Sequence, residues 1–181
     1  AYYLLGIIAY NIGDYEDAYD YLNTALKINS KLTDALIKIS EILFKNKTDI
    51  KQIQNQLESY FDTINEDTAF LLSKIFYQQN KFEVAYHYIS NIENSIENTQ
   101  KNSFYKGIYL YYLKNYTDAL ENFYKVTDKE YFNTATYCSI LCALFIKKYE
   151  EVDSLINIAK TFNEPEELMV YNSFVSLIKG N

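Results

Sequence analysis

Arginine and tryptophan are absent from this chain of 181 residues, proline and histidine occur once each, cysteine twice and glycine four times. Without arginine, every basic residue is a lysine, and the formal net charge is −7 with a pI near 4.8. Nucleic-acid binding leans on basic patches and on the guanidinium fork, so a nucleic-acid partner is excluded. Four glycines and one proline cannot punctuate a many-stranded sheet, which leaves helices, nor can they build a glycine-rich phosphate loop. Two cysteines do not make a disulfide scaffold and fit a reducing compartment, so the expected location is cytoplasmic. No stretch approaches the roughly 18 uninterrupted apolar residues of a membrane span. The apolar stretch Ala1–Tyr10 has no basic flank or cleavage pattern and no initiating methionine, and it opens straight into a helix, so the chain reads as a piece of a longer protein. The acidic balance reads as a solvated outer surface, with selection of a basic partner as a secondary implication.

What the chain does have is self-similarity with a period of about 34 residues. The blocks Gly13–Ala18, Asn80–Ala85 and Lys114–Ala119 each run from a turn to an aromatic and then a small residue three places later. Such a period means stacked helical hairpins, each unable to bury its apolar face alone. The first hairpin is expected over Tyr2–Ile12 and Tyr15–Ile28. Gly13 makes its left-handed stop, and Asp14 caps the next helix. Apolar residues recur at helical spacing as Leu5, Ile8 and Ile12 on one helix and Tyr15, Ala18, Leu22 and Ala25 on the other. The second hairpin is irregular: Asn46-Lys47-Thr48-Asp49 replaces the usual turn, and its apolar positions Ile53, Leu57 and Tyr60 are shifted by one residue. A longer or displaced helix is expected there. The full expectation is repeats over 1–32, 33–64, 65–98, 99–132 and 133–164, followed by a terminal helix over 165–179 that starts at the cap and proline of Asn163–Glu167.

These residues resemble the tetratricopeptide repeat family. Its small and aromatic pattern falls on Leu5, Gly6, Ala9, Tyr15, Ala18, Leu22 and Ala25, and again on Gly107, Tyr116, Ala119 and Phe123. The family's early tryptophan is replaced by Tyr2, Leu36, Ala69, Ser103 and Thr136. The resemblance implies an all-α, right-handed superhelical solenoid of about five antiparallel hairpins plus the terminal helix. In this family the first helix of each hairpin lines a concave groove, and register places Tyr3, Ile7, Tyr10, Ile37, Phe44, Phe70, Lys74, Tyr77, Phe104, Ile108, Tyr111, Tyr112, Tyr137, Leu141 and Leu144 there. Such a lining suits an amphipathic helix or an extended apolar segment of a protein partner within a larger, multi-subunit assembly. Some relatives clamp a terminal carboxylate with lysine, arginine and asparagine, but those positions hold Tyr3, Ile7, Phe70 and Phe104 here. Two rival readings are a peptide-sensing regulatory receptor and a transport-complex subunit. The second rests on a loose likeness of the run Cys138–Val152 to the repeat subunit of the ciliary intraflagellar transport B complex, which any hairpin of this type would share.

Catalytic and metal chemistry find little support. Cys138 and Cys142 stand four apart on one helix, but a closed zinc site needs four ligands and His87 lies in another repeat. The cysteines read as small packing residues. Nothing marks a nucleophile beside His87. Glu150, Glu151 and Asp153 sit at a helix start, where carboxylates favour the dipole. The two Asn-x-Thr sequences, at Asn46 and Asn115, read as turn chemistry. No cofactor is expected, and the chain reads as a non-catalytic scaffold.

Overall fold

The computed structural model describes residues 1–61, 64–91 and 99–162. The expected terminal helix and its start signal lie outside the described residues, as does the end of the third repeat. Among the described residues there are ten helices and no strand. The chain divides into two compact units, Ala1–Tyr88 and Ile89–Asn181.

The first unit holds three hairpins: α1 (Tyr2–Ile12) with α2 (Tyr15–Ile28), α3 (Thr33–Lys45) with α4 (Ile50–Glu58), and α5 (Glu66–Gln78) with α6 (Phe82–Ser90), which runs two residues past the boundary. The second unit holds α7 (Thr99–Tyr112) with α8 (Tyr116–Tyr124) and α9 (Phe132–Phe145) with α10 (Tyr149–Ala159). Packing is between neighbours in sequence: α2 lies on α1 and α3 in the first unit, and α8 lies on α7 and α9 in the second. This is the all-α architecture of stacked hairpins that the periodicity implies, present within each unit.

All five hairpins turn by the same device. Gly13, Lys47, Asn80, Lys114 and Lys147 adopt positive φ, at 88°, 55°, 57°, 62° and 61°. In each turn that residue's N–H donates to the carbonyl three residues back, and the next N–H donates to the carbonyl five residues before itself. Examples are Gly13 N to Tyr10 O at 3.1 Å with Asp14 N to Ala9 O at 3.0 Å, and Lys114 N to Tyr111 O at 3.0 Å with Asn115 N to Leu110 O at 2.9 Å. The last carbonyls of each first helix are thereby satisfied. Only the first turn uses glycine, so the scarcity of glycine leaves lysine and asparagine to bear left-handed backbone at the other four.

The irregularity of the second repeat has its cause at this turn. Its second helix starts three residues after the left-handed Lys47 rather than two, because Thr48 precedes the cap residue Asp49, whose Oδ1 accepts from Lys51 N at 2.9 Å and Gln52 N at 3.3 Å. The extra residue moves the buried positions to Ile53 and Leu57. The helix is therefore displaced, as expected, but it is short, at nine residues, rather than long. Asn115 caps α8 by accepting from Asp118 N at 3.4 Å, which is turn chemistry as expected.

In the first four hairpins a small residue stands at one register position of the first helix, where the fifth has Ile140. A Cβ on Gly6 would lie 2.6 Å from Leu22 Cγ, and one on Gly107 would lie 2.6 Å from Phe123 Cε1. The same register position is Ser40 and Ser73 in the second and third hairpins. Both are buried, with hydroxyls that donate to Ile37 O at 2.6 Å and Phe70 O at 2.8 Å. Small residues on one helix thus let a fully buried Leu22 or Phe123 enter from the other, where dispersion and burial stabilise the pair.

Not every apolar stripe is buried. Leu5, Ile8 and Ile12 of α1 are exposed, Ile8 at 58%, whereas the equivalent Ile39 and Ile42 of α3 and Leu72 and Ile75 of α5 are at 0–1%. In α3 that face is covered by α2; among the described residues nothing covers it on α1. Replacing Ile42 by alanine should cost about 2–5 kcal/mol in a urea melt, while Ile8→Ala should stay within about 0.5 kcal/mol. Equal losses would contradict this placement. Gly107→Ala should lower stability by roughly 1–3 kcal/mol through the clash with Phe123, outweighing the ~1 kcal/mol helix-propensity gain. An unchanged or higher urea midpoint would contradict the close approach.

Candidate functional site

Within the first unit, the carboxyl ends of α1, α3 and α5 together form a cleft of about 330 Å³, lined by Tyr10, Glu41, Phe44, Lys45 and Gln79. Tyr10 donates its hydroxyl to Glu41 Oε2 at 2.7 Å, and Lys38 Nζ lies 2.8 Å from the same oxygen. That hydrogen bond to Glu41 is the main reason the Lys38 ammonium is held above its usual range. Lys45 Nζ stands over two rings, 4.7 Å from the centroid of Tyr10 and 4.4 Å from that of Tyr15, and donates to the Tyr15 hydroxyl at 2.8 Å. Those two tyrosines, Tyr15 first, raise the affinity of Lys45 for its proton, so it is a cation throughout the neutral range. Its position in the last turn of α3 suits a cation for a second reason, the negative end of the helix dipole.

The notch between Tyr10 and Tyr15 recurs. Residues three before and two after the left-handed turn residue form ring pairs at Tyr10–Tyr15 (5.5 Å), Tyr77–Phe82 (5.8 Å) and Tyr111–Tyr116 (5.6 Å). In the second unit the notch is filled by Phe145, stacked on Tyr116 at 4.4 Å and 13°, and 6.2 Å from Tyr111. Phe145 is two residues before its own turn residue Lys147, and Lys45 is two before Lys47. One architectural slot therefore holds an ammonium in the first unit and a phenyl ring in the second. With Tyr112 and Phe145 about half exposed, the second unit presents an apolar aromatic patch of Tyr111, Tyr112, Tyr116 and Phe145.

Of the residues expected to line a groove, Tyr3, Ile7, Tyr10, Ile37, Phe44, Phe70 and Tyr77 in the first unit are half-buried, and Lys74 is exposed, with its ammonium 5.7 Å from the Phe70 ring centroid. In the second unit Ile108, Tyr111 and Leu141 are half-buried and Tyr112 is exposed. Phe104, Tyr137 and Leu144 do not stand open; they are core residues at 9%, 4% and 5% exposure. For Phe104 and Tyr137 the cause is the path of the connecting segments. Gln100 Oε1 accepts from Thr127 N at 2.6 Å and Asp128 N at 3.3 Å, pinning the loop after α8 so that Tyr131 stacks on Phe104 at 5.0 Å. Phe162, just past α10, packs edge-on against Tyr137 at 5.8 Å. Repeat register alone does not point to Lys38, Glu41, Lys45, Tyr15, Tyr116 or Phe145 as groove residues. Comparing the residue two before each turn across the repeats would have shown Lys45 and Phe145 facing the same aromatic pair.

Other tyrosines join one hairpin to the next. Gln56 of α4 hydrogen-bonds the Tyr19 hydroxyl of α2, Tyr60 donates to Asn23 Oδ1 at 3.2 Å, and Tyr88 of α6 donates to Glu58 of α4. In the second unit Tyr124 donates to Glu151 Oε2 at 2.8 Å. Burial pushes both thiols up, Cys138 to about 11 and Cys142 to about 12, so at neutral pH they are protonated packing groups rather than thiolates. Among the described residues no three histidine, cysteine, aspartate or glutamate side chains gather into a metal-binding group, and no helix is long and apolar enough to cross a membrane.

Charge divides between the two kinds of helix. The second helices, α2, α4, α6, α8 and α10, carry ten carboxylates against two lysines, while the first helices carry four against five. The acidity of the chain thus lies on the second-helix side of the hairpins.

Comparison with known proteins agrees with this geometry. Residues 1–32 match the family model for the tetratricopeptide repeat, and residues 56–126 match the model for the anaphase-promoting complex, cyclosome, subunit 3. The TPR repeat-containing protein MJ1428 of Methanocaldococcus jannaschii is 29% identical over 164 residues, covering 83% of this chain; the chain spans 28% of that relative's length. Among solved structures, YrrB, described as a TPR protein with an unusual peptide-binding site, superposes with a TM-score of 0.59 at 16% identity, over 95% of this chain and 90% of its own. Yeast Tom70 gives 0.60 at 14% identity over 98% and 39%, and PilF of Pseudomonas aeruginosa gives 0.55 at 15% over 98% and 90%. At these identities the superpositions speak for the fold alone. The five-fold turn register, the small-on-large helix contacts and the matches at both the 1–32 and 56–126 segments agree on one architecture, an all-α stack of tetratricopeptide-type hairpins.

Proposed function

We propose that this chain is a non-catalytic scaffold that binds a helical or extended polypeptide segment on the first-helix side of its hairpins, as one part of a larger assembly. The observation that carries this reading is the contrast between the two sides. The contrast is one of charge: the second helices carry ten carboxylates against two lysines, whereas the first helices carry almost no net charge and leave Tyr3, Tyr10, Phe44, Phe70, Tyr77 and Tyr111 half-buried. Surface aromatics offer large contact area at low conformational cost, and tyrosine adds hydrogen bonds at the edge of the contact. A partly exposed aromatic face of low net charge is the kind of surface that marks a protein recognition site. The match of residues 56–126 to a subunit of a multi-protein complex and the likeness in fold to a peptide-binding repeat protein support an assembly role. Phe104 and Tyr137 have no part in this surface; their truncation would act on stability.

Panning the chain against a displayed library of random twelve-residue peptides should yield binders. The quadruple substitution Tyr10→Ala, Tyr77→Ala, Tyr111→Ala and Tyr112→Ala should weaken them by at least about tenfold while the far-ultraviolet circular dichroism stays helical. Binders that are unaffected by this variant would move the site elsewhere.

A further inference from the structure

Building on the peptide-binding reading above, we propose that the cleft of the first unit is selective for an acidic segment: a carboxylate side chain of the bound polypeptide pairs with Lys45, and a neighbouring apolar side chain enters the slot between Tyr10 and Phe44. Three observations converge on this chemistry. Glu41, the one carboxylate in the cleft, has both Lys38 Nζ and the Tyr10 hydroxyl on a single oxygen, so its charge is already met. Lys45 is different. It contacts the neutral rings of Tyr10 and Tyr15 and the Tyr15 hydroxyl and shares the Tyr10 ring with Lys38, whose Nζ lies 4.6 Å from the centroid and is paired with Glu41; no carboxylate lies within ion-pair distance of Lys45 among the described residues. The cleft as a whole therefore carries one unmet positive charge, fixed in direction by the two rings beneath it. Finally, the equivalent slot in the second unit is filled by Phe145, stacked directly on its tyrosine. A ring satisfies this slot by packing alone, so the ammonium in the first unit changes what a partner meets there, from an apolar surface to an ion.

The remaining walls define the rest of the ligand. Phe44 is half-buried, held edge-on by Phe76 at 5.9 Å, and offers an apolar floor next to the charge. Gln79 brings an amide to the rim, suited to a peptide backbone. The volume of about 330 Å³ fits one or two side chains rather than a folded surface. An aspartate or glutamate beside a leucine, isoleucine or phenylalanine matches these walls.

The same display experiment tests this reading separately from the one beneath it. Peptides selected on the wild-type chain should be enriched in aspartate or glutamate next to an aliphatic or aromatic residue. Lys45→Glu should weaken them by roughly tenfold and, in a fresh selection, should invert the preference toward lysine and arginine. Lys45→Met keeps the apolar stem and should remove most of the salt dependence of binding without lowering the melting temperature. Lys51→Glu, an equal charge change on the exposed side of α4, should leave affinity within about twofold. Wild-type selections that yield binders with no acidic residue would overturn the proposal while leaving the peptide-binding face standing, as would Lys45→Glu leaving affinity unchanged. A library that yields no binders at all would overturn both.

Discussion

The structure depends first on how closely the two helices of a hairpin can approach. A helix carrying Gly6 or Gly107 offers no side chain where its partner inserts Leu22 or Phe123, and the added methyl of alanine would already lie within 2.6 Å of the neighbour. That clearance allows the large residue to be wholly buried and fixes where the second helix runs. The left-handed turn residue serves the same end, reversing the chain in two or three residues while satisfying the carbonyls it leaves behind. Once the hairpin geometry is set, one side of α1, α3, α5 and α7 is left with aromatic residues half-buried. The proposed recognition surface is thus a by-product of the packing rule.

That relation explains how a chain with so little glycine can make five similar turns. Left-handed backbone costs a lysine or asparagine energy that glycine would avoid, and four of the five turns bear that cost. The repeated hydrogen bonds of the turn offset it, and so does the burial that the turn makes possible on either side. The displaced α4 shows the tolerance of the scheme. One inserted residue, Thr48, rotates the helix so that Gln52 and Gln56 are no longer in the packing positions, and the sequence answers with Ile53 and Leu57 one place later.

Much of the fold was legible from the spacing of residues, because a hairpin repeat is a local object. Its turn, cap and small position lie within some 20 residues of one another, as the boundaries of α1 and α2 illustrate. Less of the candidate site could be read. Phe104 and Tyr137 occupy register positions that point outward in an ideal repeat, yet Tyr131 and Phe162 cover them from connecting segments whose paths no periodicity encodes. Leu5 and Ile8 fail in the opposite sense: their pattern is that of a buried face, but burial requires a neighbouring helix, and pattern alone does not supply one. Lys45 was hidden for a third reason. Its meaning lies in a pair of rings from the preceding hairpin, about a full repeat away in sequence, and it appears only when equivalent positions are compared across repeats.

The net charge of the chain, taken alone, points toward a basic partner. The distribution of charge argues otherwise. Coulomb interactions between exposed groups fade beyond about 10 Å at 0.1 M salt, so carboxylates on the second helices bear on solubility and on the approach of a partner more than on a contact made at the other side. What a segment bound as proposed would meet locally is the cleft, where Lys38 and Tyr10 have already taken the charge of Glu41 and where Lys45 rests on neutral rings. A protein can therefore be acidic overall and still recognise acid. For the acidic segment proposed here, what matters is the cleft itself, where Glu41 is already paired and Lys45 has no carboxylate within ion-pair distance among the described residues.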